Sequence, residues 1–172
     1  MDNNDTCSHF REQFPDCVCE QESVSPHSPS SVDNGEMLLR LIFSPLHIND
    51  ETGEVLPAAF SDVANKGLSI NRLEHSSLDE IDKKGHAKAQ NDNANGKQRE
   101  YLGSVRARCG DIRGLSADEA RLFCVYDTAV EDNTAHGDVC QARLEGKARD
   151  KQARKLLREQ FTRIPTQVTA QR

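Results

Sequence analysis

MLLRLIFSP, residues 37–45, gathers apolar side chains around a single arginine, Arg40, and stops at a Ser-Pro step. A run this short that ends in Pro reads as a buried strand rather than a helix. Working outward, NDETGE (49–54) is a turn, VLPAAF (55–60) follows it, and GLSINRL (67–73) is a second strand. Its alternation sets Leu68, Ile70 and Arg72 against Ser69 and Asn71. YLGSVRARC (101–109), RLFCVYDT (121–128) and DVCQARL (138–144) are three further strand candidates.

Between them, SSLDEIDKKGHAKAQNDNANGKQ (76–98) opens on a Ser77 cap and then loses its apolar content, which predicts a short helix feeding a mobile loop. Ser116 with Glu119 three positions on has the form of a capping box for another short helix. Residues 146–164 form the clearest amphipathic pattern, with Ala153, Leu156, Leu157, Phe161 and Ile164 on one stripe. Strands in the middle with helices around them predict an α+β domain on a mixed or antiparallel sheet. The expected organisation is a polar, acidic, disordered or strap-like N-terminal segment over 1–34, one domain over 35–164 that ends in an amphipathic helix, and a tail over 165–172.

Charge is unevenly placed on this chain of net charge −6. Residues 1–36 hold eight acids against Arg11 alone, whereas 143–163 hold eight bases against Glu145, Asp150 and Glu159. An acidic mean argues against indiscriminate nucleic-acid binding by the whole molecule but leaves a local basic face free to act. Lys147, Lys151, Arg154, Lys155 and Arg158 supply such a face on the last helix, suited to a phosphate backbone or an acidic partner. It has no aromatic residues for base stacking. No apolar run approaches the roughly 20 residues of a membrane span, and the start MDNNDTCSHF lacks the pattern of an export signal. The expectation is a soluble cytoplasmic protein with reduced thiols.

Candidate chemistry sits in three places. The loop YDTAVEDNTAHGDV (126–139) puts Asp127, Asp132, His136 and Asp138 just beyond a hydrophobic strand, where a histidine beside carboxylates serves as a general base or metal ligand. The same letters also suit a hydrogen-bonded turn. Arg40 and Arg72 lie within apolar strands, where a guanidinium needs partners. Cys7, His9 and the step Cys17-Val18-Cys19 form a local thiol cluster, and Cys109, Cys124 and Cys140 occupy strand-like surroundings as small buried residues. A zinc site composed from both cysteine groups is a further alternative. A phosphate-binding Walker loop, a glycine-rich dinucleotide fingerprint and a His-Glu-x-x-His step are all missing from the sequence.

The layout of Arg40 on the first strand and Ser69 on the second resembles the ADP-ribosyltransferase-like and RES-toxin-like group, which implies a grip on the phosphates or ribose of NAD. More broadly, the chain is similar to a family of small uncharacterised bacterial proteins. The likeness rests on Cys17-Val18-Cys19-Glu20, on Arg40-x-Ile42-x-Ser44-Pro45-x-His47, and on Pro57-Ala58-Ala59-Phe60. It extends to Ser69-x-x-Arg72 and Asn133-x-x-His136. It implies an accessory or effector role near mobile-element or phage-defence genes, and it singles out Arg40, His47, Phe60, Ser69, Arg72, Asn133 and His136.

The leading expectation is therefore a bacterial accessory protein that binds a protein or nucleic-acid complex. The rival is a small enzyme handling NAD or a phosphate ester through Arg40, His47, Ser69, Arg72, Asp127 and His136. No cofactor is implied by composition. The two separate on geometry: an enzyme gathers Arg40, Arg72 and His136 into one cleft, and a binding module scatters them.

Overall fold

The structure is a computed structural model that describes residues 5–163. Ile164 and the 165–172 tail lie outside the described residues. Six strands form one sheet: β1 (Met37–Ser44), β2 (Leu68–Arg72), β3 (Glu100–Arg108), β6 (Phe123–Asp127), β7 (His136–Gln141) and β8 (Thr162–Arg163). Their order is β6-β7-β2-β1-β3-β8, and every neighbouring pair is antiparallel. With helices α1 (Thr6–Gln13), α2 (Leu78–Ala94), α3 (Cys109–Arg113) and α4 (Lys147–Gln160), the class is α+β. No described helix is long and apolar enough to cross a membrane.

Alternation along the strands divides the sheet into two unlike faces. On the first, Leu38 and Ile42 of β1, Leu68 and Ile70 of β2, and Val105, Phe123, Val125 and Val139 build the main core. A 3-10 helix at Pro57–Ala64 covers this face with Phe60 and Val63; α3 adds Ile112, and α4 adds Ala153 and Leu157. Phe161, just past α4, tilts against Phe60 with ring centroids 5.1 Å apart. Each large aliphatic buried here contributes about 1.5–3 kcal/mol.

The second face is covered in two separate pieces. Over β6 and β7, α1 lays Phe10 on Tyr126 at 4.4 Å, beside Cys7, Cys17, Cys124 and Cys140. Over β1 and β3, α2 brings Ala89 against Phe43 and Tyr101. Gly85 lets α2 approach, because a Cβ there would stand 2.4 Å from the Tyr101 ring. Between the two covers the polar residues of the middle strands, Ser69, Asn71 and His136, are left facing a gap.

Four expectations are corrected. First, the polar stretch after Ser77 is helix as far as Ala94. Ser77 Oγ accepts from the Glu80 amide at 3.2 Å while Glu80 Oε2 accepts from the Ser77 amide at 2.8 Å. Only Ile81, Gly85 and Ala89, spaced by four, are buried, so the helix needs little apolar content. Second, Ser116–Arg121 is a hairpin of β4 (Ser116–Ala117) and β5 (Ala120–Arg121), turned at Asp118 and Glu119 with φ of 50° and 63°. Third, of the two forms expected for the N-terminal segment, disordered or strap-like, residues 5–34 do not take the disordered one: Cys7, Phe10, Cys17, Glu20 and Val32 are all buried. Glu20 accepts from the Val125 amide on edge strand β6 at 3.0 Å and pairs with Arg113 and Arg121 at 3.2 and 2.5 Å. Fourth, the thiols are not all reduced: Cys7–Cys140 and Cys17–Cys124 are disulfides, while Cys19 and Cys109 are free.

Candidate functional site

The ladder between β1 and β2 holds for two residue pairs only, Leu38 with Arg72 and Leu39 with Asn71. Beyond them, side chains take over the backbone's bonding. Arg40 Nη1 donates to the Ser69 carbonyl at 3.2 Å and Nη2 to the Ala59 carbonyl at 3.1 Å. The Phe43 amide donates to His47 Nδ1 at 3.2 Å. This parting of strands, with α2 on one side and the β6–β7 loop on the other, opens a cleft of about 600 Å³.

Arg40, His47, Ser69, Asn71, Asn133 and His136 line the cleft, with Leu41, Phe43, Leu46 and Val130 as its apolar part. Its rim is cationic on a chain that is acidic overall. Lys84 and Lys88 come from α2 and Lys97 and Arg99 from the segment after it, against Asp62, Asp92 and Asp132. Several of these charges are already engaged: Arg40 with Asp62 at 3.8 Å, Lys97 with Asp92 at 3.6 Å, and Lys84 with Asn133 Oδ1 at 2.7 Å. Among the described residues Lys88 has no ion-pair partner.

His136 is the best-prepared group for chemistry. Its Nδ1 lies 3.1 Å from the Thr128 carbonyl and 3.0 Å from Thr128 Oγ1, which in turn donates to Asp138 Oδ2 at 2.7 Å. A carbonyl only accepts, so the neutral imidazole carries its proton on Nδ1 and keeps the lone pair on Nε2. No described group bonds Nε2, and the ring borders the cleft. Burial raises the Asp138 pKa, an effect opposed by His136 and by the Thr128 hydrogen bond. Gly67, at φ +90°, gives Asp138 its room, since a Cβ would meet the carboxylate at 2.7 Å.

His47 plays a different part. Burial, then the charges of Arg40 and Arg99, push its pKa down to about 4, so it is neutral in ordinary buffers and serves as an acceptor that finishes β1.

Four of the six expected site residues therefore meet: Arg40, His47, Ser69 and His136. Arg72 and Asp127 do not join them, so the gathering of Arg40, Arg72 and His136 expected of an enzyme is met by Arg40 and His136 alone. Arg72 sits on the opposite face, fully buried, donating to both Glu36 oxygens at 2.7 and 2.6 Å and to the Ser30 and Ser31 carbonyls. Asp127 accepts from Ser23 Oγ at 2.8 Å and lies 3.8 Å from Arg72. Both hold the N-terminal segment to the sheet. The basic residues of α4 are elsewhere too: Lys147, Lys151 and Lys155 are exposed, Arg154 is half-buried, and Arg158 donates to the Val55 carbonyl at 2.6 Å. Glu36, Glu74 and His75 approach one another within 4.8 Å, but both Glu36 oxygens already accept bonds, from Arg72 and the Asp33 amide.

Sequence reasoning missed Thr128, whose role depends on facing two residues of the next strand. It also missed Lys84 and Lys88, which share one side of α2 only because the helix runs on to Ala94; their spacing of four is the signal that a longer helix would have given. The chain matches no protein-family model, no curated protein and no solved structure.

Proposed function

We propose that the cleft is the active site of a small enzyme that acts on a phosphate-bearing molecule, with His136 as its acid–base residue. The observation that carries this reading is the His136–Thr128–Asp138 chain, which leaves the Nε2 lone pair unbonded beside a cationic rim. Lys88, Arg99 and Arg40 suit an anionic group, while Leu46 and Val130, about half exposed at the cleft, suit an apolar or ring portion. Ser69 and the amides Asn71 and Asn133 offer hydrogen bonds to hydroxyls. NAD and simple phosphate esters both fit this description. An effector role of the kind implied by the bacterial resemblance is a natural setting for such an activity.

Lys147, Lys151 and Lys155 along α4 support a second reading, in which that helix docks an acidic protein or a nucleic acid.

The test is turnover of p-nitrophenyl phosphate, bis-p-nitrophenyl phosphate and NAD by the wild type and by His136→Ala. Turnover of one of them that falls by roughly 10²–10⁴-fold in His136→Ala, with KM little changed, is the expected result. Absence of turnover with all three, or turnover indifferent to His136→Ala, overturns the reading.

A further inference from the structure

Four cysteines from four separate elements meet above the β6–β7 edge of the sheet. Cys124 and Cys140 stand directly opposite one another in the ladder, both on the face that carries α1. Cross-strand partners of this kind have Cβ atoms about 4.5–5.5 Å apart. Cys7 of α1 is bonded to Cys140 and Cys17 to Cys124, each with Cα atoms 5.3 Å apart. All four are buried, in one cluster with Phe10 and Tyr126. Two staples meant only to fasten a segment have no need to share one cross-strand pair. A tetrahedral metal site does need its ligands gathered in this way.

We propose that, once reduced, Cys7, Cys17, Cys124 and Cys140 form a structural zinc site that holds the N-terminal segment in the same place. In a zinc tetrathiolate each sulfur lies about 2.3 Å from the metal, which puts the sulfurs roughly 3.8 Å apart. Two equivalents of a dithiol deliver the four electrons and four protons and leave as two disulfides; with a phosphine, two equivalents deliver the electrons, and two water molecules supply the four protons and the oxygens of the two phosphine oxides. Binding of Zn²⁺ then releases four protons, leaving a site of charge −2. Arg11 is at hand to offset that charge, since its Nη1 donates at 3.1 Å to the carbonyl of Gln141, the neighbour of Cys140. The two remaining thiols are placed differently. Cys109 belongs to the core on the other face of the sheet, and Cys19 is only half-buried. The site stands independently of the cleft, so its failure and that of the enzymatic reading are separate results.

The experiment is an anaerobic titration of the full chain with Co²⁺ after phosphine reduction. One equivalent should produce the thiolate charge-transfer and ligand-field absorption of tetrahedral cobalt, and Zn²⁺ should bleach it. Alkylation followed by peptide mass analysis of the zinc-loaded wild type should then modify Cys19 at least tenfold faster than Cys7, Cys17, Cys124 and Cys140. That readout needs no variant and so does not depend on a mutant that folds. Cys19→Ser should keep the spectrum and Cys124→Ser should lose it. A reduced chain that takes up no Co²⁺, one that leaves these four thiols as reactive as Cys19, or one whose spectrum survives Cys124→Ser overturns the proposal.

Discussion

Thr128 bridges Asp138 and His136: its Oγ1 lies 2.7 Å from the carboxylate and 3.0 Å from Nδ1, which itself stands 4.0 Å from Asp138 Oδ2. The arrangement fixes a tautomer before any substrate arrives. Imidazole ¹⁵N spectra of neutral His136 should show the proton on Nδ1 and a bare Nε2, and the opposite tautomer contradicts the role assigned to this residue. Thr128→Val leaves the buried Asp138 without one of its donors and should cost about 1–3 kcal/mol in urea unfolding.

Arg72 should matter for stability and not for the cleft. Arg72→Met strands Glu36, which is 2% exposed, and should cost about 3–5 kcal/mol; adding Glu36→Gln should recover part of that loss. Where the single variant is folded, its affinity for pyrophosphate should equal that of the wild type. A specific loss of affinity returns Arg72 to the site.

His47 gives the protein an acid-sensitive joint. Its pKa is about 4 in the folded chain against 6.5 when unfolded, so the unfolded state binds more protons between those values and stability rises with pH there. Denaturation at pH 7 and pH 4 should show this contribution, of the order of 3 kcal/mol, present above pH 6.5 and mostly gone near pH 4. In His47→Gln that component of the pH dependence should vanish. An unchanged profile contradicts the burial of a neutral imidazole beside Arg40.

Gly85→Ala tests the seat of α2. The added Cβ meets the Tyr101 ring, and overpacking of this kind should cost about 1–3 kcal/mol. Because α2 carries Lys84 and Lys88, affinity for pyrophosphate should fall as well. A neutral substitution means that α2 is not held as described.

Much of the sheet was legible from the sequence because its strands carry their own pattern. Leu68-Ser69-Ile70-Asn71 alternates, and the two residue types do go to opposite faces, core and cleft. Arg72 follows the same alternation onto the core face, yet alternation alone could not say whether it would meet a substrate or the Glu36 carboxylate, since its partner is 36 positions away. Helix α2 was hidden for a related reason. A helix that touches the sheet through Ile81, Gly85 and Ala89 needs almost no hydrophobic stripe, and its polar remainder looks like loop. Cysteine pairing was hidden most deeply, with separations of 133 and 107 residues that no local spacing reveals.

The most direct measurement of the cleft assignment is an NMR titration of the intact, oxidised chain with inorganic pyrophosphate, followed at the side-chain resonances of His136 and Lys88. Saturable shifts at both, absent from the exposed His27 and abolished by the pair Lys88→Ala and Arg99→Ala, are the result this account expects. Shifts confined to the lysines of α4, or no saturable shift at His136, would contradict it.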